Sequence, residues 1–148
     1  EGTVHRLWEP LEEKQNPSSP YGAKFSVPYC IAVSLIDGQA GLKQFTEKRL
    51  QDTSLLNLAS KVSYEINPDD EYPKNYTGYI TIFNKNGTSI SANQNCLRGG
   101  KLSPLEEEEV YKKFEENLKF SNIKSDEIKK LSGKINTIFN IKNLDDIG

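Results

Sequence analysis

Residues 18–38 constrain the fold more than any other part of this sequence. Ser19 followed by Pro20 is typical of a helix start, because serine caps the first turn and proline fits the first helical position. The apolar residues that follow cover nearly the whole circumference of a helix, which indicates a buried helix. They are Phe25, Val27, Tyr29, Cys30, Ile31, Ala32, Val33, Leu35 and Ile36. Gly38 is a natural C-cap, so we expect a core helix that ends there.

Pro28 interrupts this predicted helix. A proline has no N–H and crowds the carbonyl group four residues earlier, here that of Lys24. Two arrangements accommodate it. Either one helix kinks between Lys24 and Pro28, or the main helix begins near Pro28 after an irregular turn. Both leave polar backbone groups unpaired beside Lys24 and Ser26.

Two segments show the two-residue alternation of side chains that is typical of β-strands. In residues 3–10, Val4, Arg6 and Trp8 alternate with His5 and Leu7, and Pro10 ends the run. Residues 41–50 are expected to form a short helix, and Asp52 to cap the next one. That helix is predicted to pass into a second strand over residues 62–66.

A β-hairpin is predicted further along the chain. Asn86-Gly87 lies between two β-type runs, residues 79–83 and 88–92, and this pattern is the strongest short-range hairpin signal. A two-residue type I′ turn would place Phe83 opposite Ile90. Together with the two earlier segments, the hairpin brings the predicted strands to four.

Two helices are predicted after the hairpin. Residues 103–106 (Ser-Pro-Leu-Glu) have the form of a capping box with proline at the first helical position, and Ser125 caps the last helix. Leu105, Tyr111, Phe114 and Leu118 mark one apolar stripe. Ile128, Leu131, Ile135, Ile138 and Phe139 mark the other. The fold class is therefore predicted as α+β, with a four-stranded, mostly antiparallel sheet, helices on one face and two C-terminal helices.

The bulk composition excludes several classes of protein. The 148 residues are 35% apolar and 27% charged, with a net charge of −2, which argues against a basic nucleic-acid-binding surface. We find no apolar run long enough for a membrane span and no signal peptide. Cys30 and Cys96 are expected to be free thiols in the cytoplasm. Because the chain lacks methionine and starts at Glu1, we expect it to be a piece of a longer protein.

The residue types also limit the chemistry. His5 is the single histidine, which argues against histidine-based metal sites and against a Ser-His-Asp triad. Residues 99–101 (Gly-Gly-Lys) lack the spacing of a phosphate loop and indicate a turn. The acidic residues 69–71 have ligand atoms for a hard cation, but a solvated loop is the preferred interpretation. No metal site is predicted.

Lys24, Ser26 and Tyr29 are the candidate functional residues. They place an ammonium group, a hydroxyl group and a phenol beside the irregularity at Pro28. Lys24 suits pairing with a substrate carboxylate, Ser26 suits hydrogen bonding to it, and Tyr29 suits proton transfer. The structural alternative makes Tyr29 a core residue, Ser26 a local cap and Lys24 a solvated side chain. The residues alone favour that alternative.

The sequence resembles the MmgE/PrpD family, which includes 2-methylcitrate dehydratase, cis-aconitate decarboxylase and iminodisuccinate epimerase. The resemblance rests on AKFSVPY (residues 23–29), AVSLIDG (32–38), the passage from Asp52 to Lys61-Val62 and the Asn86-Gly87 hairpin. It continues with Gly100, LSPL (102–105), Lys113-Phe114 and LDDI (144–147). The order and spacing of these motifs span nearly the whole chain.

The resemblance implies a C-terminal domain that covers a larger helical domain, with the active site in the cleft between them. Residues 1–102 would form the α+β covering domain, and residues 103–148 would form helices that pack back on the helical domain. Members act on small di- or tricarboxylates by removing a proton next to a carboxylate, without a cofactor. Carried over by position, Lys24 and Ser26 would bind substrate, and Tyr29 and Lys24 would act in catalysis.

The same resemblance implies a homodimer for the whole protein and little activity for this piece alone. Partners would be a small carboxylic acid and the helical domain, with neither nucleic acid nor membrane. A second hypothesis is a stand-alone binding module that keeps the fold without the chemistry. An unrelated α+β structural domain is the third.

Overall fold

The computed structural model describes residues 2–135. The chain divides into two units, Glu1–Ile66 (unit 1) and Asn67–Gly148 (unit 2). The described part holds seven α-helices and one two-stranded antiparallel sheet. The fold is therefore α+β, but the prediction of a four-stranded sheet is wrong.

Unit 1 is helical. Its helices are α1 (Gly2–Leu7), α2 (Leu11–Gln15), α3 (Pro20–Ala23), α4 (Val27–Asp37) and α5 (Thr53–Ala59), with 3-10 turns at Leu42–Gln44 and Arg49–Gln51 between α4 and α5. These two turns replace the single short helix predicted over residues 41–50.

Helix α4 is the predicted core helix, and it begins after an irregular turn. The prediction that it is buried nearly all round is wrong, because Leu35 and Ile36 are exposed by 48% and 46%. Ser26 is the N-cap residue, and its hydroxyl oxygen accepts a hydrogen bond from the Tyr29 N–H at 3.0 Å. Pro28 lies in the first turn, where its missing N–H costs nothing. Gly38 ends the helix with φ 71°, a left-handed conformation that glycine adopts without strain. The second of the two arrangements predicted for Pro28 is therefore confirmed.

The core of unit 1 lies where α4 packs against α5. Its fully buried side chains are Ala23, Tyr29, Ala32, Val33, Leu55 and Ala59. Phe45, Leu50, Leu56 and Leu58 pack around them. Helix α5 is held at its start as predicted, because the Asp52 carboxylate accepts hydrogen bonds from the N–H groups of Ser54 and Leu55.

Neither of the first two predicted strands is present. Most of residues 3–10 belong to helix α1, and residues 62–66 pair with no strand among the described residues. The two segments meet through side chains instead: the Trp8 and Tyr64 rings lie 5.0 Å apart, and the Tyr64 hydroxyl donates to Glu9. Alternation over so few residues does not establish a strand, because a strand also needs a partner for its backbone groups.

The sheet of unit 2 is the predicted hairpin, formed by β1 (Gly78–Phe83) and β2 (Ser89–Gln94). Its register differs by one residue from the prediction, because Ile90 pairs with Ile82 and Phe83 pairs with Ser89. The reason is the turn. The Gly87 N–H donates to the Asn84 carbonyl, the Asn84 N–H donates to the Thr88 carbonyl, and Gly87 has φ 85°. This geometry is a three-residue loop, whereas the prediction assumed a two-residue one.

Two helices follow the hairpin, as predicted: α6 (Glu107–Phe120) and α7 (Ser125–Ile135). Helix α6 begins later than the capping-box prediction, with Glu106 before its first turn and the Glu109 carboxylate accepting from the Glu106 N–H at 2.8 Å. Ile128 of α7 is buried. Ile138 and Phe139 lie outside the described residues. The prediction that residues 103–148 pack back on a helical domain stays a prediction.

Candidate functional site

Residues 24–26 connect α3 to α4 and form the candidate site's backbone; we call them the α3–α4 turn. Successive N–H groups of Lys24, Phe25 and Ser26 donate to carbonyl groups three residues earlier, at 3.2, 3.0 and 3.2 Å. The turn therefore continues α3 as a tighter 3-10 turn. Ser26 then adopts an extended conformation and starts α4. Its position is fixed by backbone hydrogen bonds on both sides.

Ser26 is fully buried, and its hydroxyl group both donates and accepts a hydrogen bond inside unit 1. The oxygen accepts from the Tyr29 N–H, and the hydroxyl proton is donated to the Lys14 carbonyl. This geometry makes Ser26 the cap of α4 and a contact to α2.

Tyr29 is also fully buried, in the first turns of α4. Its hydroxyl group donates to the Gln44 carbonyl at 2.8 Å, and its ring lies 5.8 Å from that of Phe45. Burial raises the pKa of the Tyr29 phenol above its ordinary value of 10.0, because the phenolate would be desolvated. Tyr29 is therefore a neutral hydrogen-bond donor at physiological pH.

Lys24 is exposed, in contrast to Ser26 and Tyr29. Its ammonium group makes no hydrogen bond or ion pair with any residue in the range 2–135. The adjacent aromatic residues are exposed as well, Tyr21 by 71% and Phe25 by 42%, and their rings lie 5.1 Å apart. Helix α3 and the α3–α4 turn thus present two exposed rings and a cation that has no partner within residues 2–135.

Nearly the whole chain is similar to known proteins. The family model of the MmgE/PrpD C-terminal domain matches residues 2–137. This chain belongs to the MmgE/PrpD family. Mouse (Mus musculus) cis-aconitate decarboxylase is 30% identical over 103 residues, which make up 68% of this chain and 21% of that relative. The MmgE/PrpD chain described here thus corresponds to about a fifth of the mouse protein's length.

Lys14 is a residue of this MmgE/PrpD domain that sequence reasoning missed. Its ammonium group donates to the Phe25 carbonyl at 2.9 Å and to the Arg6 carbonyl at 2.6 Å. Its own carbonyl group accepts from Ser26. Lys14 therefore contacts two of the three residues of the α3–α4 turn. Nothing in the sequence signals this, because Lys14 is one lysine in a polar stretch 12 residues before Ser26.

A second polar network lies at the other end of α4 in the MmgE/PrpD domain. The Arg49 guanidinium donates to Asp37 at 2.9 Å and to Asp52 at 2.6 Å. The Gln44 side-chain amide donates to Asp37 at 3.1 Å, and the Gln44 carbonyl accepts from Tyr29. This network fixes the 3-10 turns between α4 and α5, and through Gln44 it fixes the Tyr29 hydroxyl.

The acidic residues 69–71 lie in unit 2 and behave as a structured surface loop. A depression of about 520 Å³ opens there, lined by Asp70, Glu71, Tyr72, Pro73, Lys74, Asn75 and Leu102. Hydrogen bonds from Thr77 and from the Tyr72 N–H hold the pKa of Asp70 below its ordinary value. Among the described residues, no group of acidic, histidine and cysteine side chains is placed to hold a metal ion.

Two further observations concern the whole described range. None of its helices is both long and apolar enough to cross a membrane. Cys30 and Cys96 are both free and half-buried.

Proposed function

We propose that this chain is the C-terminal domain of a cofactor-independent lyase or isomerase that removes a proton next to a carboxylate group of a small di- or tricarboxylate. Membership of the MmgE/PrpD family supports the class of enzyme. The name of the mouse relative, cis-aconitate decarboxylase, supports a small tricarboxylate as the kind of substrate.

The observation that carries this proposal is the exposed ammonium group of Lys24, which has no partner in the part of the chain that the structure describes. A lysine on a turn that is hydrogen-bonded on both sides presents a positive charge without a large loss of backbone freedom on binding. A substrate carboxylate would pair with this charge. When a proton leaves the neighbouring carbon, negative charge spreads onto that carboxylate, and a pre-placed cation then stabilises the transition state more than the ground state.

Tyr29 and Ser26 support the same site in different ways. The proposal that Tyr29 orients the site agrees with its buried hydroxyl and its contact to Gln44. Direct proton transfer by Tyr29 remains part of the proposal and requires that its hydroxyl leave the Gln44 carbonyl when substrate binds. Ser26 would contribute to substrate binding by fixing the start of α4, since its hydroxyl already has two partners.

The proposal also covers the part of the enzyme outside this chain. A helical domain elsewhere in the protein would supply the base and the other wall of the cleft, the whole protein would be a cytoplasmic homodimer, and this domain alone would be inactive. Large apolar side chains that stay exposed in the described range, such as Phe83 and Leu102 at 81% and 80%, support contacts with further protein surface.

Proton exchange tests the proposal directly. The full-length protein is mixed with cis-aconitate, 2-methylcitrate and related acids in deuterated water, and NMR follows exchange of the proton next to a carboxylate. Lys24→Ala is expected to lower kcat/KM by about ten- to hundredfold, because a charge-assisted hydrogen bond is lost. Tyr29→Phe keeps the ring in the core and removes the hydroxyl group that would orient the site or transfer a proton. It is therefore expected to lower kcat.

Lys61→Ala is the matched control, since Lys61 is exposed and its side chain has no partner among the described residues. It is expected to leave the exchange rate unchanged. Loss of activity in Lys61→Ala, or full activity in Lys24→Ala, contradicts the assigned site.

The alternative function is a binding module that keeps the fold without catalysis. The observation in its favour is that the Ser26 and Tyr29 hydroxyl groups are both occupied by contacts within unit 1. Calorimetric binding of a carboxylic acid that depends on Lys24, without any proton exchange in the full-length protein, would support this module and exclude the enzyme.

A further inference from the structure

Lys14 and the α3–α4 turn form one hydrogen-bonded unit. The Lys14 ammonium group binds the Phe25 carbonyl, and the Lys14 carbonyl binds the Ser26 hydroxyl. The two contacts run in opposite directions and span the turn, so neither the backbone of Phe25 nor the start of α4 shifts without breaking one of them.

The same ammonium group reaches a third element. It donates to the Arg6 carbonyl at 2.6 Å, near the end of α1. Carbonyl groups at a helix end lack partners within the helix, so a cation there satisfies an acceptor and interacts favourably with the helix dipole. Lys14 therefore ties α1, α2 and the α3–α4 turn together with a single charged group.

Lys24 depends on this arrangement. It is the residue immediately before Phe25, and its own ammonium group makes no contact with a described residue that would fix its position. The position from which the Lys24 side chain extends into solvent is therefore set by the backbone of the α3–α4 turn. Beside the backbone hydrogen bonds to α3 and α4, the Lys14 side chain is the group from α2 that holds this backbone.

We infer that Lys14 is the positioning residue of the carboxylate site: it fixes the α3–α4 turn and so determines where Lys24 presents its charge. This inference rests on the proposed function, because it concerns the same site. It assigns to Lys14 no contact with substrate, and the main effect of Lys14 on catalysis passes through Lys24.

A double-mutant cycle in the full-length protein separates this role from general stabilisation. Lys14→Met keeps the length of the side chain and removes its donors. It is expected to lower kcat/KM by about tenfold, which is the lower end of the loss for a charge-assisted hydrogen bond. In the Lys14→Met/Lys24→Ala double variant, kcat/KM is expected to fall little further than in Lys24→Ala, because a positioning residue loses most of its effect once the positioned group is gone. Additive losses overturn the inference.

Two companion variants sharpen the result. Lys14→Arg retains a cation with several donors and is expected to recover most of the activity. Lys61→Met, the same substitution at an exposed position without a side-chain partner among the described residues, is expected to behave like the unchanged protein. An arginine variant as impaired as the methionine variant, with the fold intact, also overturns the inference.

Amide hydrogen exchange over residues 22–30 keeps the two proposals distinguishable. In Lys14→Met, the N–H groups of Ser26 and Tyr29 are expected to exchange at least several-fold faster, while those of α5 are unchanged. Unchanged exchange in the turn overturns the role of Lys14, whatever the kinetics show. Faster exchange combined with full activity in Lys24→Ala overturns the proposed function instead, and leaves the contact between Lys14 and the turn established.

Discussion

Unit 1 and unit 2 are stabilised to different degrees by their own contacts. In unit 1, six apolar side chains are fully buried in one core between α4 and α5. Among the described residues of unit 2, Ile128 is the one buried apolar side chain, at 4% exposure. Because buried apolar area is the main favourable term in folding, we expect unit 1 to hold its structure by itself more firmly than unit 2.

The hairpin shows why unit 2 differs. Two strands alone are marginally stable in water, and β2 is exposed along its whole length. Tyr79, Phe83 and Ile90 remain exposed on the hairpin by 64%, 81% and 64%. The hairpin therefore lacks the buried apolar core that surrounds the polar contacts of unit 1. The proposed site lies in that unit.

The largest expected effect breaks the core of unit 1. Leu55→Ala is expected to lower the free energy of unfolding of unit 1 by about 2–5 kcal/mol, because it leaves a cavity at a fully buried position. Urea unfolding of the purified protein, with hydrogen exchange to locate the change, measures this. Leu102→Ala in unit 2 removes the same atoms from a side chain that is 80% exposed, and its effect should stay within about 0.5 kcal/mol. Equal effects would contradict the comparison.

The second expected effect is a loss of unit 1 stability at alkaline pH. Burial raises the pKa of the Cys30 thiol above 9.0 and that of the Tyr29 phenol above 10.0. Both groups are neutral when buried, so their contribution to stability is complete below the unfolded pKa values and is lost as pH rises through the raised values. The urea midpoint of unit 1 should therefore fall above pH 9.0.

Cys30→Ala tests the source of that loss, since it removes one of the two titrating groups. It is expected to flatten the alkaline fall in the urea midpoint, whereas Cys96→Ala in unit 2 is expected to leave it unchanged. An identical alkaline profile in Cys30→Ala and the unchanged protein would rule out the thiol as a contributor.

The smallest expected effect lies in unit 2 and at acid pH. The Glu106 N–H and then the Arg98 guanidinium hold the pKa of Glu109 below its ordinary value of 4.5. The ionised carboxylate therefore favours the folded state above pH 4.5, and this contribution is lost as pH falls through the lowered value. Glu109→Gln should give a slightly less helical α6 at neutral pH and a weaker acid dependence, measured by NMR chemical shifts. A titration midpoint of the Glu109 carboxyl group at or above pH 4.5 would contradict the lowered pKa.

Local signals in the sequence were sufficient where neighbouring residues make the contact. The caps at Ser19 and Asp52 and the glycine at Gly38 act within a few residues of their partners, and all three are confirmed. The hairpin was predicted correctly for the same reason. Its register was not, because the choice between a two- and a three-residue loop depends on the geometry around Asn84 and Gly87.

The candidate site divides in the same way. Lys24, Ser26 and Tyr29 became candidates because Pro28 disturbs the helix beside them, and their roles stay predictions. Their environments were not, since Ser26 bonds to a residue 12 positions away and Tyr29 to one 15 positions away. The sequence of these residues carries no sign of which lysine or which carbonyl group will be the partner.

The sequence by itself left the start of α4 open, but it determined the end of α4 at Gly38, the presence of the hairpin and the membership of a family. These follow from contacts between residues close in the chain and from the order of its motifs. Only the tertiary structure decided that residues 3–10 and 62–66 are not strands, that Tyr29 is buried while Lys24 is exposed, and that Lys14 holds the turn between α3 and α4. The physical reason is that each of these depends on which distant group satisfies a backbone donor or acceptor, and chain folding makes that choice.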